Sequence, residues 1–202
     1  MVIPINLAVE DPLSEAVLRA ILHQSNRPYI VGNCYSKNGF GYLKKNIKGF
    51  NNAAKGTPYI VLTDLDRAEC PQELIQEWLP HPKHPNLLFR IAVREVEAWL
   101  LADSKNFAKF LGVSQTLIPQ NVDEISDPKQ TLINIARKSK KRELHEAIVP
   151  QFNSTAKVGR DYNGQLIYFV NNYWQMEVAK LYSPSLQRAI NAISKFEPIS
   201  RK

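Results

Sequence analysis

Cysteine is nearly absent: Cys34 and Cys70 are the only two in 202 residues, with no close second cysteine and no metal-ligand spacing. That excludes a disulfide-stapled scaffold and a zinc ribbon, and leaves packing as their default role. Long hydrophobic runs are missing too. Although 44% of the residues are hydrophobic, no segment reaches the apolar length needed to cross a bilayer. The opening Met1-Val2-Ile3-Pro4-Ile5 lacks the basic region and long apolar run of a secretion signal. A cytoplasmic globular protein with no membrane contact is expected. No glycine-rich phosphate loop, internal repeat or low-complexity tract is present. Of the four histidines, the isolated His23 and His145 are expected to be structural, and His81 and His84, in a proline-fixed loop, to be solvent-exposed loop residues and not metal ligands.

Charge is what the chain has in excess. Twenty-six Lys and Arg against 19 Asp and Glu give a net +7, which suits a polyanionic partner such as nucleic acid. The basic residues are unevenly spread. Lys37, Lys44, Lys45, Lys48 and Lys55 fall between Cys34 and Pro58 with no acid among them, and residues 137–142 read Arg-Lys-Ser-Lys-Lys-Arg. Lys44, Lys45, Arg67, Lys140, Lys141 and Arg160 are the candidate nucleic-acid contacts. The bland alternative for the 137–142 cluster is a solvated helix end.

The acids gather elsewhere, at the ends of expected strands. Pro58 to Arg67 reads Pro-Tyr-Ile-Val-Leu-Thr-Asp-Leu-Asp-Arg, an apolar run bounded by Gly56 and Pro58 and ending in two carboxylates. This suits a buried parallel strand. Alternation would turn Asp64 and Asp66 to one side and Leu65 to the core. Ile3 to Val9 is a second such run, ending in Glu10. Helices are expected over about Leu13–His23, over the Leu43, Ile47, Phe50 and Ala54 face, and over Pro71–Leu79. Short strands are expected at Tyr29–Val31 and Leu87–Val93, the latter followed at once by a helix from Arg94 to Asp103. Strand and helix alternate, so the fold class is α/β: a mainly parallel sheet of about four strands flanked by helices. Residues 1–112 form this core. Residues 113–202 are expected as a helical C-terminal extension, with helices from Asp127-Pro128, over Arg142–Ile148, Leu166–Leu181 and Ser185–Ile193, and a polar loop at Asn153–Gly164.

Ligands of parallel sheets bind beyond the carboxyl ends of the strands. Glu10, Asp64, Asp66 and the Arg94–Glu97 group fall there by connectivity. Converging carboxylates repel unless a cation sits between them, and Mg2+ or Mn2+ takes such oxygen ligands together with substrate phosphate. The candidate metal ligands are Glu10, Asp64 and Asp66, and Arg67 or Arg94 would neutralise a transferring phosphate. The bland alternatives are a capped strand end for Asp64 and Asp66, an acid favoured by a helix dipole for Glu10, and an Arg94–Glu97 pair along a helix.

These motifs together resemble the Toprim domain of topoisomerases, primases and OLD-type nucleases. Glu10 with the following Asp-Pro-Leu-Ser-Glu is similar to that domain's Glu-Gly-x-x-Asp-Glu opening, and Asp64-Leu65-Asp66 to its Asp-x-Asp motif. Residues 94–103, Arg-Glu-Val-Glu-Ala-Trp-Leu-Leu-Ala-Asp, resemble a signature of RloB-like and related Toprim-like proteins from prokaryotic defence loci, and Ser183 to Leu186 echoes their ending. The resemblance implies a magnesium-dependent nuclease core acting on DNA or RNA, with an ATPase partner protein. It also implies Glu95 and Glu97 as sources of a further carboxylate and Lys157 as a phosphate-contacting lysine. Asp11 stands where the motif has glycine and Ser14 where it has an acid. Those departures motivate a non-catalytic alternative, a regulatory or scaffolding subunit of an ATPase-containing complex. A nucleotidyl or glycosyl transferase is a further alternative, since such enzymes also hold a metal-bound diphosphate on Asp-x-Asp. A haloacid-dehalogenase phosphatase is disfavoured, because Arg67-Ala68 follows where Gly-Thr would be required.

Overall fold

The computed structural model describes residues 2–36, 39–79 and 81–199, so Lys37 lies outside the described residues. Four strands form one parallel sheet: β1 (Ile3–Val9), β2 (Tyr29–Ser36), β3 (Tyr59–Asp64) and β4 (Leu87–Ala92), in the order β2-β1-β3-β4. Every strand pair is parallel, as the α/β alternation requires. The two central strands read as continuous apolar runs because both of their faces are covered.

Two helices, α2 (Phe40–Ala53) and α3 (Pro71–Trp78), cover one face. Leu43, Ile47, Phe50, Leu74 and Trp78 pack there on Ala8, Val61, Phe89 and Ile91. The opposite face carries α1 (Pro12–Gln24), α4 (Val96–Ala102), α5 (Ser104–Leu111), α6 (Pro128–Ala136), α7 (Arg142–Ile148), α8 (Tyr162–Asn172), α9 (Met176–Ala179) and α10 (Pro184–Ser194). Ile5, Leu7, Val9, Ile60 and Leu62 share one buried cluster with Trp99, Phe107, Leu132, Leu166, Phe169 and Ile190. The helices after Gly112 therefore bury their apolar faces in the same core as the sheet.

Several boundaries differ from those expected, each for a local reason. β2 runs to Ser36 and not Val31. It is an edge strand with a half-exposed pattern, so its polar residues are permitted. A register shift between Ile5 and Leu7 lies opposite it, and the buried Asn6 side chain accepts the Asn33 N–H there at 2.8 Å. Gly32 is needed at that point, because a Cβ would sit 2.7 Å from Asn6 Oδ1. α4 begins at Val96, not Arg94: Arg94 has φ 23° and Glu95 is extended. The expected Leu166–Leu181 helix is two helices, broken where the indole N–H of Trp174 donates to the Trp99 carbonyl at 3.0 Å. The polar loop ends earlier than Gly164, at Asp161.

The residues that resemble the 94–103 signature and the Ser-Pro-Ser-Leu ending meet one another in the core. Trp99 Nε1 donates to Ser185 Oγ at 2.8 Å, and Asp123 accepts from Ser183 Oγ (2.6 Å) and Ser185 N–H (2.7 Å). This buried, hydrogen-bonded network ties α10 to α4 beneath the sheet's carboxyl edge.

The loop from Pro150 to Asp161 is anchored where it leaves and where it returns. Gly159 N–H donates to the Ile148 carbonyl (2.9 Å) and Asp161 N–H to that of Ala147 (3.0 Å). A Cβ on Gly159 would lie 2.2 Å from the Ala147 oxygen. Gly159→Ala must therefore push the loop off α7, and it is expected to cost about 1–3 kcal/mol. Chemical denaturation of the variant checks this, with an unchanged midpoint as the contrary result.

Candidate active site

A topological switch point lies between β1 and β3, where the strand order reverses, and a crevice at the carboxyl ends is the expected ligand position. The pairing Val9 with Leu62 brings Glu10 beside the end of β3. The Glu10 carboxylate takes a hydrogen bond from the Thr63 hydroxyl and another, at 3.0 Å, from Asp64 N–H. Its neighbour Asp11, standing where the resembled motif has glycine, caps α1 by accepting from Ser14 N–H at 2.7 Å. Ser14 is buried.

β3 ends at Asp64, and the chain turns immediately. Leu65 points into the core, as alternation predicts. Asp66 does not continue the strand: it has φ 49° in a turn and is exposed. The expected parallel projection of Asp64 and Asp66 is thus lost, because alternation holds only while the backbone stays extended. The two positive-φ residues brace each other. Asp66 N–H donates to the Arg94 carbonyl at 2.9 Å, while the Arg94 guanidinium donates to the carbonyls of Asp66 (3.0 Å) and Ala68 (2.9 Å). Arg94 is therefore committed to shaping the turn and acts as a positioning residue. Asp64 Oδ1 in turn accepts Val96 N–H at 3.0 Å, capping α4 from outside.

Glu97 and Lys129 complete the constellation from behind. Glu97 is buried; its Oε1 accepts from Tyr162 OH at 3.0 Å and faces Lys129 Nζ at 3.5 Å. Its Oε2 is buried with no hydrogen-bond partner among the described residues. Lys129 Nζ also faces Glu95 Oε1 at 3.5 Å, and Glu95 Oε2 accepts Lys129 N–H at 2.9 Å. Neither Lys129 nor Tyr162 is singled out by the sequence. The Asp127 cap that opens α6 two residues before Lys129 was legible, but nothing local says that this helix end faces β3.

The electrostatics follow from burial and crowding. Burial, then the charges of Glu97, Glu10, Asp11 and Asp66, hold the Asp64 carboxyl well above the usual carboxylate range. Burial also raises Glu10, against the hydrogen bonds from Thr63 and Asp64. Glu97 is pushed up to about 7, mainly by burial, although Lys129 pulls it down. Burial disfavours the Lys129 ammonium, but Glu97, Glu95 and Asp64 together outweigh it and raise its pKa. A cleft of about 940 Å³ opens over this group, lined by Asp64, Asp66, Arg67, Glu95, Lys129 and Lys157 among others.

The basic candidates divide. Arg67 and Lys157 are exposed on the cleft. Lys44 also reaches it but pairs with Glu77 at 2.6 Å. Lys141 is engaged structurally: its ammonium donates to the carbonyls of Phe110 (2.7 Å) and Lys109 (3.2 Å) at the end of α5, so the expected phosphate contact is a helix C-cap instead. Lys45 and Lys140 are exposed away from the cleft lining, and Arg160 lies in a neighbouring cleft.

All the acidic groups present hard oxygen donors, the type that a small divalent cation prefers. Among the described residues, no three His, Cys, Asp or Glu side chains stand grouped at metal-holding geometry. Among them, too, no helix is long and apolar enough to cross a membrane. No curated protein and no solved structure matches the chain. A family model described as Domain of unknown function (DUF4276) matches residues 9–193, and the chain belongs to that family.

Proposed function

We propose that this protein is a Mg2+- or Mn2+-dependent phosphodiesterase acting on nucleic acid. The observation that carries the reading is the crowding of Glu10, Asp64 and Glu97 at the switch point, with Asp66 on the turn beyond and Lys129 alongside. The donor chemistry fits a divalent ion: the ligands are all oxygen, burial and the neighbouring acids hold the Asp64 carboxyl above its ordinary range, and beside them Glu97 Oε2 is buried with no hydrogen-bond partner among the described residues. Glu10, Asp64 and Asp66 would hold it, the exposed Asp66 side chain turning inward. Such an ion supplies Lewis-acid polarisation of a phosphodiester and a bound water of lowered pKa.

The chain's own groups do the rest. Lys129 offsets the carboxylate charge, so that an anionic phosphate is not repelled from Asp64. Arg67 and Lys157, on the cleft rim, reach phosphate oxygens on the substrate strand. Arg94 keeps the Asp64–Ala68 turn in place, and Tyr162 fixes Glu97 by its hydroxyl. With a pKa pushed up to about 7, Glu97 can give or take a proton near neutrality. The ATPase partner and a place in a defence system belong to this proposal through the Toprim resemblance alone.

Labelled single- and double-stranded DNA and RNA, incubated with Mg2+ or Mn2+, test the reading; divalent-dependent cleavage is expected, and none from any substrate rejects it. A ligand that binds only the native state raises apparent stability by an amount set by its concentration over Kd. Mn2+ at about 100 times its Kd should add about 2.7 kcal/mol, read as a Tm increase.

A second reading, a non-catalytic regulatory subunit, has one observation in its favour. Lys129 already pairs with both Glu95 and Glu97 within the protein. It predicts no thermal response to any divalent ion, together with retained binding of a partner protein.

A further inference from the structure

Beside the acidic cleft lies a second one of about 970 Å³, built by the end of α7 and the loop that follows it. Its lining includes Arg137, His145, Glu146, Phe152, Ser154 and Arg160. Phe152 is 101% exposed, the most exposed of the large hydrophobic side chains described. A phenyl ring in water at full exposure gains nothing for the fold, yet this one stands on a loop pinned at its base by Gly159 and Asp161. The acid in the lining, Glu146, is engaged by Arg142 at 2.7 Å and also feels Arg160 and His145. Arg137 and Arg160 therefore leave the cleft cationic.

An aromatic face with guanidinium groups beside it, in a groove too open to enclose a small molecule, matches how single strands are held. Bases stack on the ring and phosphates lie along the cations. Continuity with the acidic cleft adds direction. Pro150 lines both clefts, and the same loop carries Phe152 and Ser154 into one and Ala156 and Lys157 into the other. A strand following the loop would run from Phe152 past Lys157 to Asp64.

We infer that the α7 cleft is a binding site for single-stranded nucleic acid, in which a base stacks on Phe152 and the flanking phosphates are held by Arg137 and Arg160. It deepens the phosphodiesterase reading and rests on it for its purpose, not for its affinity. Duplex DNA has no unstacked base to offer the ring, so single strands are the preferred class. The 2′-hydroxyl plays no part in stacking, so DNA and RNA strands should bind comparably.

The test is fluorescence anisotropy of labelled single-stranded DNA, single-stranded RNA and duplex DNA, each about 15 units long, on the full chain in EDTA, where hydrolysis cannot occur. Wild type should prefer both single strands over the duplex. Phe152→Ala should weaken single-strand binding by about 10-fold or more, and Phe152→Trp should retain it. Arg137→Ala and Arg160→Ala should each lower the salt dependence by about one phosphate's contribution. Because Phe152 is fully exposed, its truncation removes no packing, and an unchanged Tm shows that any loss is local. Equal single-strand affinity of wild type and Phe152→Ala overturns the inference, as does equal binding of duplex and single strand. A Phe152→Ala variant that only dissociates a self-associated wild type overturns it in favour of an interface between copies. Binding with no cleavage in Mg2+ would leave this site standing and remove the phosphodiesterase. Cleavage with Phe152→Ala unaffected in binding would do the reverse.

Discussion

Asp64→Asn is expected to abolish divalent-dependent cleavage, by at least about 100-fold in kcat, while making the protein more stable at neutral pH. The two effects have one cause. Asp64 is half-buried at the end of its strand beside Glu97, Glu10, Asp11 and Asp66, and its carboxyl is held well above the ordinary range. Ionising it in the folded state is unfavourable, so a neutral isostere relieves the crowding. The hydrogen bond that matters to the fold survives, since the asparagine carbonyl can still accept Val96 N–H at the 3.0 Å position of Oδ1. What is lost is the negative charge that a cation needs. The pair of measurements is a single-turnover cleavage assay and a thermal melt at neutral pH. A variant that still cleaves at the wild-type rate would remove Asp64 from the chemistry. A variant with lowered Tm would mean that the carboxylate is a structural cap first.

Glu97→Gln should make stability less dependent on pH. Glu97 has its pKa raised from 4.5 to about 7 by burial. Between those values the folded chain holds the proton that the unfolded chain has released. Stability therefore falls as pH rises through that window. Lys129 does not contribute there: its pKa is raised, so the stability it adds is intact until the alkaline range. At about pH 8 the glutamine variant should be more stable by up to about 3 kcal/mol, and near pH 4 it should match wild type. For a chain of this size that corresponds to a Tm difference of several degrees. Tyr162 can still donate to the amide oxygen, and Lys129 keeps Glu95 at 3.5 Å. Melting curves across the pH range check the slope. Parallel curves for variant and wild type would mean that Glu97 is ionised in the fold as readily as in water.

Both expectations describe a site that lowers stability for the sake of its charge. Strand ends in a parallel sheet can be capped by neutral groups at less cost, and burying several carboxylates around one lysine is unfavourable unless the charges are used. The raised carboxyl groups and the Glu97 oxygen, without a hydrogen-bond partner among the described residues, point the same way.

By itself the sequence determined the parallel α/β class, because continuous apolar runs alternating with amphipathic helices have few other solutions. It also determined that Glu10 and Asp64 stand at carboxyl ends, since each follows directly on a buried run. The helix start at Asp127-Pro128 was legible because capping is local chemistry. The second strand's length, the turn at Asp66 and the break at Trp174 were not, because an edge strand, a left-handed turn and an indole hydrogen bond each depend on a distant neighbour.

The site was decided by tertiary structure for the same reason. Connectivity says where a strand ends but not which strand lies beside it, and the β2-β1-β3-β4 order is what joins Glu10 to Asp64. Burial of Glu97, the approach of Lys129 from α6, and the Tyr162 hydroxyl from α8 come from helices packing on one face of the sheet, contacts that no local pattern encodes. The sequence supplied the carboxylates, and only the packing set their charge, partners and pKa.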